Sequence, residues 1–464
     1  MIKAALREIA EVAGAVSTAG EFGSHPATGV SIDSRTTVEG NLFIAIQGPT
    51  HDAHRFIDNA LDAGASGVIA REGFRYEGQH PDAKIIFVPD TFKAMHDLAK
   101  WWLDKFDIMK LAVTGTNGKT TTKEMIAAVL SRKFTTYRSP GNFNNLYGIP
   151  LAIFGLDSTV ESAVFEFGMS TPGEIETLTR MFKPEYGLIT NIDAAHLETM
   201  KSIDAIAKAK FELFDNMPDD GTVFLNLDNA WLKKRYETEN RHKVGFGIEN
   251  HDGLHPVDFG SNGSGCFKFV VEQIGDIHLH IPGIHNLYNA VAACAVGHEL
   301  GVEPGEIKSA LEDFSAIGMR MEIIELRGVK IINDAYNSNP ASLRNALKTL
   351  VALDVSGKKI AVLGDMLELG KREGELHREV GEFIASLDVD MLLLSGKLAR
   401  DILSGAESAG FDTGKVEYFA SMDDLTEHLL ELVVAGDAVL IKASRSMAFD
   451  KIVTALTSSL GRER

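Results

Sequence analysis

At 464 residues the chain exceeds what one hydrophobic core supports, and two or three domains are expected. With 45% hydrophobic and 24% charged residues it is an ordinary globular chain, which excludes a disordered or fibrous one. A net charge of -19, from 46 basic and 65 acidic residues, argues against nonspecific nucleic-acid binding, and no run of Lys or Arg offers an exception. Cys266 and Cys294 lie far apart, which points to a reducing compartment and no disulfide framework. The opening MIKAALREIAEVAG alternates charge with apolar residues, unlike a secretory leader, and no apolar stretch is long enough to span a bilayer. A cytoplasmic protein without a membrane span is expected.

Residues 1–107 open with a helix, and GVSIDSRTTVEGNLFIAI reads as strands joined by turns. FIDNALDAGASGVIA follows as helix, glycine stop and strand, with AKIIFV as a further strand, so this is a small α/β unit. The second unit, 108–318, begins with the buried strand MKLAVTG. The short strands SAVFEFG, YGLITN and TVFLNLD follow with helices between them, which predicts a mostly parallel sheet. IPGIHNLYNAVAACAVGHEL closes this unit with a glycine turn and a long apolar-faced helix. The third unit, 319–464, alternates again through KKIAVLGD, VDMLLLSG and DAVLIKAS. It reads as a second doubly wound unit without a dinucleotide fingerprint after its first strand.

In LAVTGTNGKTTTKE a strand runs through a glycine turn into a helix, which aims backbone N–H groups and the helix dipole at one point. Lys119 adds a positive charge there, and Thr120 offers a hydroxyl to Mg²⁺. The turn is two residues shorter than the usual phosphate loop, with Val113 where the longer motif wants glycine, and Gly115 and Gly118 supply the flexibility. Nucleotide phosphate binding follows from this context. The motif alone does not separate a motor, a kinase or a ligase.

Glu166 ends the apolar strand SAVFEFG, where a charge is costly unless it is paired or bound to metal; a basic neighbour is the alternative. His196 follows another buried strand, as a metal ligand or as a hydrogen-bonded loop residue. In SIDAIAKAKFELFDNM, Ile203, Ile206, Ala207, Leu213, Phe214 and Met217 form one apolar helix face, with Asp204, Lys208, Glu212 and Asp215 opposite. Lys210 falls inside the apolar stripe. Either it snorkels outward, or burial lowers its pKa and leaves a neutral amine that takes up CO₂ as a metal-binding carbamate. In the second case Glu166, His196 and Lys210 form a metal site around a terminal phosphate.

These motifs resemble those of the Mur ligases, enzymes that use ATP to build the peptide stem of peptidoglycan. The resemblance runs along the whole chain: DSRTTVEGNLFIAIQG in the first unit; VTGTNGKTTTKE, GNFNNLYGIPL, FEFGMSTPGEI, TNIDAAHLE, IAKAKFELF and PGIHNLYNAVAA in the second; NDAYNSNPASL, VLGDMLELG and KASR in the third. YNSNP followed by LGDMLELG is the mark of the branch that adds D-alanyl-D-alanine to UDP-N-acetylmuramoyl-tripeptide, and the D-N-P-R element of the preceding step is absent. The chain departs from the family pattern at Glu39, Ala53 and Ala443, where Pro, Gly and Gly are usual.

The resemblance implies an α/β fold of three domains: a small N-terminal domain for the UDP substrate, a central P-loop parallel-sheet ATPase-like domain, and a C-terminal Rossmann-like domain for the amine. It implies that Gly115, Thr116, Asn117, Gly118, Lys119, Thr120 and Thr121 hold the ATP phosphates. Thr120 and Glu166 would bind one Mg²⁺, with His196 and carbamylated Lys210 at a second. Asn286 and Asn289 would lie near adenine, and Arg320 and Asp334 would reach the γ-phosphate and ribose, unless Arg320 makes an inter-domain salt bridge. Asp33, Ser34 and Arg35 would bind the UDP end, or form a turn with a surface ion pair. Asn144 and Asn145 would face the muramoyl-peptide. Asn337, Asn339, Ser444 and Arg445 are candidates for the dipeptide, with helix capping the alternative for Arg445. The expected reaction proceeds through an acyl phosphate, in a monomer. The competing expectations are another amide ligase of the superfamily, acting on a different muramoyl-peptide or on folate, and a nucleotide-gated binding protein without chemistry.

Overall fold

The computed structural model describes residues 1–22, 26–48 and 51–461. Three larger sheets follow one another along the chain. In the first, strand Ser17–Ala19 pairs antiparallel with Ile85–Val88, and Gly67–Arg71, Leu42–Ile44 and Val30–Ser31 extend it in parallel. The helix Thr91–Leu103 leads out of this sheet, capped by the Asp90 carboxylate, which accepts the N–H groups of Phe92 and Lys93.

The central sheet has six strands, all parallel, in the order 242–246, 222–226, 186–189, 109–114, 162–166, 136–138. Leu111–Thr114 are buried, as a strand covered on both faces requires. Met109–Thr114 lies between Ser162–Glu166 on one side and Tyr186–Ile189 on the other, and the chain crosses it in passing from the first to the second. Glu166 pairs in register with Val113, and Ile189 with Thr114. The phosphate loop therefore opens at the crevice where the strand order reverses, the usual ligand position in such sheets. Behind it the helix Lys119–Leu130 packs against Ile284–Glu299. The two approach so closely that a Cβ on Gly297 would come 2.5 Å from Val129 Cγ1. The sequence pattern does not separate out an antiparallel three-stranded sheet, Pro256–Ser261, Cys266–Val271 and Gly275–Pro282.

The helix Ile203–Asp215 starts at Ser202, whose hydroxyl accepts the Ala205 N–H. Ile206, Ala207, Leu213 and Phe214 are buried on its inner face; a fully buried side chain of the larger kind contributes about 1.5–3 kcal/mol. Glu212 departs from the solvated role expected for its face. Its carboxylate accepts the N–H groups of Gly173 and Glu176 at 2.8 and 3.1 Å, which caps the neighbouring helix Glu174–Phe182.

The third sheet begins with the antiparallel hairpin Glu322–Leu326 and Val329–Asn333. It continues in parallel through 438–442, 359–363, 391–395 and 416–419. The last of these, Val416–Phe419, is also not evident from the sequence pattern. Among the described residues no helix is long and apolar enough to cross a membrane, and both cysteines are buried free thiols.

Candidate active site

A cavity of about 520 Å³ lies between the C-terminal strand ends of the central and third sheets. Its floor is the loop 116–119, which Gly115 leads into. Gly115 has φ 149°, and a Cβ there would collide with Thr190 Oγ1; Gly118 has φ 80° and lies against the Asn289 amide. Both positions require glycine. The loop is tied to the end of the neighbouring strand. Thr116 N–H donates to Asn191 O at 2.9 Å, Asn117 N–H to Asn191 Oδ1 at 2.9 Å, and Thr190 Oγ1 to Asn117 O at 2.6 Å. Gly118 caps the helix Lys119–Leu130 without a side-chain acceptor, so its first N–H groups face the cavity, an anion site.

Two amines converge on one carbonyl. Lys119 Nζ donates to Gly115 O at 3.0 Å and to Thr116 O at 3.1 Å, and Lys210 Nζ donates to Gly115 O at 2.8 Å. Lys210 is only 3% exposed, so it does not snorkel. Burial, and then the neighbouring Lys119 charge, push its pKa well below the usual lysine range, while Asp193 opposes the shift. Burial also lowers the Lys119 pKa, with Glu166 pulling it up and Arg320 pushing it down. Asp193, which the sequence pattern does not single out, has its carboxyl raised by burial and drawn back by Lys210.

Glu166 is 2% exposed and has no basic hydrogen-bond partner among the described residues. Its two oxygens accept Thr120 Oγ1 at 2.7 Å and Asn144 Nδ2 at 2.9 Å. Its N–H donates to Ser139 Oγ at 3.3 Å, and the Ser139 carbonyl accepts the fully buried Lys123 Nζ at 2.7 Å. Lys123 thus fastens the turn preceding Asn144 and Asn145 to the phosphate-loop helix. Asn145 Oδ1 accepts the N–H groups of Tyr147 and Gly148. His196 lies at the cavity edge with Nδ1 2.6 Å from Glu368 Oε2. Burial lowers its pKa, and the Glu368 charge acts in the opposite direction.

The third unit supplies the opposite wall. The Arg320 guanidinium carbon lies 3.8 Å from the Tyr336 ring centroid, a cation–π stack. Asp334 accepts Lys442 Nζ at 2.5 Å and Met321 N–H at 3.2 Å, and the same ammonium reaches Asn337 O at 2.8 Å. Asn339 caps the helix Pro340–Ala352 with a complete capping box, and its Nδ2 donates to Asn117 Oδ1 at 2.7 Å, a direct bond to the phosphate loop. Asn289 accepts Thr122 Oγ1 and donates to Asn286 Oδ1, and Asn286 donates to Pro282 O. This buried chain braces the loop from behind, and both asparagines also line the cavity.

Six of the residues singled out from the sequence do not line this cavity: Gly115, just beneath its floor, and Asp33, Ser34, Arg35, Ser444 and Arg445. Asp33 and Arg35 form a bidentate pair, Nε to Oδ1 at 2.9 Å and Nη2 to Oδ2 at 2.6 Å, across a turn that includes Ser34. The guanidinium holds the Asp33 carboxyl below its usual range. Ser444 is buried and accepts Leu367 N–H at 2.8 Å. Arg445 lies 3.5 Å from Asp450, near the start of the helix Asp450–Gly461. Ala443, where the family pattern has glycine, points its methyl at Gly364, where a Cβ would come within 2.7 Å. Among the cavity-wall residues that the sequence pattern does not single out are Asn191, Asp193, Tyr336, Glu368 and Lys442.

Among the described residues no three His, Cys, Asp or Glu side chains gather as a metal cluster. The donors present suit Mg²⁺, which takes one or two carboxylates plus substrate phosphates: a carboxylate beside a hydroxyl at a helix N-terminus, with an imidazole and a deprotonatable amine nearby.

Two family models match: the Mur ligase middle domain over residues 113–297 and the "Mur ligase, glutamate ligase domain" over 319–445. The chain is 35% identical to the Bacillus subtilis UDP-N-acetylmuramoyl-tripeptide–D-alanyl-D-alanine ligase, over 99% of each chain. It is 32% identical to the Escherichia coli enzyme of that name, over 92% of this chain and 93% of that one. A MurF crystal structure from Acinetobacter baumannii superposes with TM-score 0.88 at 25% identity, over 99% of both chains. The MurF ligase from Thermotoga maritima in complex with ADP superposes with TM-score 0.81 at 28% identity, over 94% of this chain and 98% of that one.

Gly115→Ala is expected to destabilise the loop by roughly 1–3 kcal/mol through backbone strain and the clash with Thr190. ADP affinity should fall at least about tenfold, because the loop donors move. Thermal unfolding and calorimetric ADP titration measure the two effects.

Proposed function

Since the chain belongs to the Mur ligase family, we propose that it joins D-alanyl-D-alanine to UDP-N-acetylmuramoyl-tripeptide at the expense of ATP, in the making of peptidoglycan precursors. The observation that carries this reading is the convergence of Lys119 and Lys210 on the Gly115 carbonyl, beside Glu166 and facing Arg320. Such an array suits two anions that must meet, a carboxylate and a terminal phosphate.

In the proposed sequence, a carboxylate oxygen of the tripeptide attacks the γ-phosphorus of ATP. The O–P bond forms as the bond to ADP breaks, which gives an acyl phosphate. The dipeptide amine then attacks the acyl carbon, loses a proton, and the tetrahedral intermediate expels phosphate to leave the amide. The helix N-terminus and Lys119 hold the phosphates, and Arg320 meets the charge that grows in the transition state. Thr120 and Glu166 would hold one Mg²⁺ and His196 with carbamylated Lys210 a second, where the metal supplies charge neutralisation on the phosphoryl oxygens. Carbamylation needs a neutral amine, which the depressed Lys210 pKa provides. The nitrogen attacks CO₂, one C–O π pair moves to oxygen, and a proton leaves the nitrogen.

Asn286 and Asn289 would border the adenine, and Asp334 would meet the ribose. Asn144 and Asn145 would contact the muramoyl-peptide from the turn that Lys123 holds. Asn337 and Asn339 would position the dipeptide from the cavity wall, with Ser444 and Arg445 behind them. The Asp33–Ser34–Arg35 turn, outside the cavity, would bind the distant UDP end of a long substrate. The three units are proposed to divide near residues 107 and 318 and to act as a monomer. Two buried free thiols suit a reducing cytoplasmic setting.

Mass spectrometry of a reaction of UDP-N-acetylmuramoyl-tripeptide, D-alanyl-D-alanine and ATP–Mg²⁺ should detect the pentapeptide product and stoichiometric ADP. A protein that hydrolyses or binds ATP without forming product would refute the assignment. Lys119→Ala and Glu166→Ala should each lower kcat by at least about 10²–10³ with the circular dichroism spectrum retained. Full turnover in either variant would strip that residue of its catalytic role. Bicarbonate should restore activity to enzyme depleted of CO₂ at low pH, and Lys210→Arg should be inactive and unresponsive to bicarbonate. Indifference of the depleted wild type to bicarbonate would sink the carbamate.

A further inference from the structure

The third unit touches the phosphate side of the cavity at one more place. After strand Lys359–Leu363, the segment 365–370 lays Glu368 against the turn that carries His196. Glu368 Oε2 lies 2.6 Å from His196 Nδ1, and the Glu368 carbonyl accepts the Glu198 N–H at 3.0 Å. His196 has φ 50° and Glu368 φ 63°, left-handed conformations that non-glycine residues hold only where their surroundings fix them. Gly370, at φ 61°, comes so near that a Cβ there would lie 3.0 Å from Glu198 Cα. The segment is also fastened to its own unit. Met366 N–H donates to His377 Nε2 at 2.9 Å, Leu367 N–H to Ser444 Oγ at 2.8 Å, and Ser444 N–H to Asp365 O at 3.0 Å.

We propose that Glu368 is a positioning residue for His196, through which docking of the third unit completes the phosphate-side site in the central one. An ionised carboxylate only accepts hydrogen bonds, so this contact keeps the imidazole proton on Nδ1 and leaves the Nε2 lone pair as the working face. A histidine that meets a cation needs its other nitrogen held in this way. With Glu368 60% exposed, the pair adds little to stability, so orientation is what it supplies. When the third unit swings away the carboxylate leaves with it, the ring is free to turn, and the site is incomplete until the amine-binding unit returns. Ser444 then contributes by holding Leu367, and so the Glu368 segment, in place. The inference rests on the reading of His196 as part of the metal and phosphate site.

The test compares Glu368→Ala, Glu368→Gln, His196→Ala and the Glu368→Ala/His196→Ala double variant. Their readouts are kcat, thermal unfolding, metal-free ADP affinity, and Mn²⁺ binding to the ADP complex by electron paramagnetic resonance. Glu368→Ala should lower kcat and Mn²⁺ affinity about 10–100-fold, with unfolding temperature and metal-free ADP affinity unchanged. Glu368→Gln keeps an acceptor and should recover most of the loss. Added to His196→Ala, the Glu368→Ala change should cost nothing further. Wild-type kcat and Mn²⁺ binding in Glu368→Ala, or a loss that adds in full to that of His196→Ala, overturns the proposal while the site reading stands. A His196→Ala enzyme indistinguishable from wild type overturns both.

Discussion

The site depends on one carbonyl oxygen, that of Gly115, which accepts hydrogen bonds from Lys119 and Lys210 together. Two ammonium groups on one carbonyl, Lys210 buried and Lys119 partly so, repel each other, and the usual escape is for one to lose its proton. Lys210 is the one placed to do so: it is the more depressed of the two, and its helix offers it no solvent. Lys119, nearer Glu166, keeps the partner that favours the charged form. A single backbone group thus holds two identical side chains in unlike surroundings, Lys210 with the more depressed pKa and Lys119 with Glu166 opposing its shift. An arginine at position 210 would defeat the arrangement, because a guanidinium does not give up its proton.

The cavity walls carry charges of both signs, with Glu166, Glu174, Asp193, Asp228, Asp334 and Glu368 beside the basic side chains. A chain of net charge -19 carries Lys119, Lys210, Arg320 and Lys442 on the walls of one cavity. The basic side chains come from two units, and Lys119 and Lys210 share the Gly115 carbonyl. Arg320 lies over Tyr336, and Lys442 is bound by Asp334 and the Asn337 carbonyl. Both sheets present their C-terminal strand ends to the same space. Asn117 and Asn339 bond directly across it, which aligns the phosphate loop with the N-terminus of the helix Pro340–Ala352.

What could be read from the sequence was what is encoded locally. The strand, glycine turn and helix around Lys119 are visible because hydrophobic run, glycine spacing and helix period agree within a few residues. Lys210 stood out because it breaks an apolar stripe, and Glu166 because it charges a buried strand. The antiparallel strands of 256–282 were not separated from the parallel core, since Val257 and Phe259 on the first of them are exposed and their alternation carries no inward signal. Asp193, Glu368 and Lys442 were missed for another reason. Each is an ordinary charged residue in its own segment and becomes unusual only when a distant segment arrives: Lys210 for Asp193, His196 for Glu368, Asp334 for Lys442. Glu212 shows the same blindness within one helix face, where periodicity placed it among solvated residues and tertiary contact made it the cap of another helix.

The short phosphate loop also has a consequence beyond binding. A longer loop can wrap the phosphates with its own backbone; this one has too few residues and borrows support from 190–193. Thr116 exchanges hydrogen bonds with Asp193, donating its hydroxyl to the carbonyl at 3.2 Å and accepting the amide at 3.0 Å, while Asn191 holds both Thr116 and Asn117. Three residues beyond Asp193 the same segment delivers His196, which the third unit grips through Glu368. Asp193 and His196 therefore share one stretch of backbone, and hydrogen bonds fasten the phosphate loop to it. The third unit thus meets this assembly at two points, Glu368 on His196 and Asn339 on Asn117. Shortening the loop gives up some self-sufficiency and ties its geometry to neighbouring segments, the third unit among them.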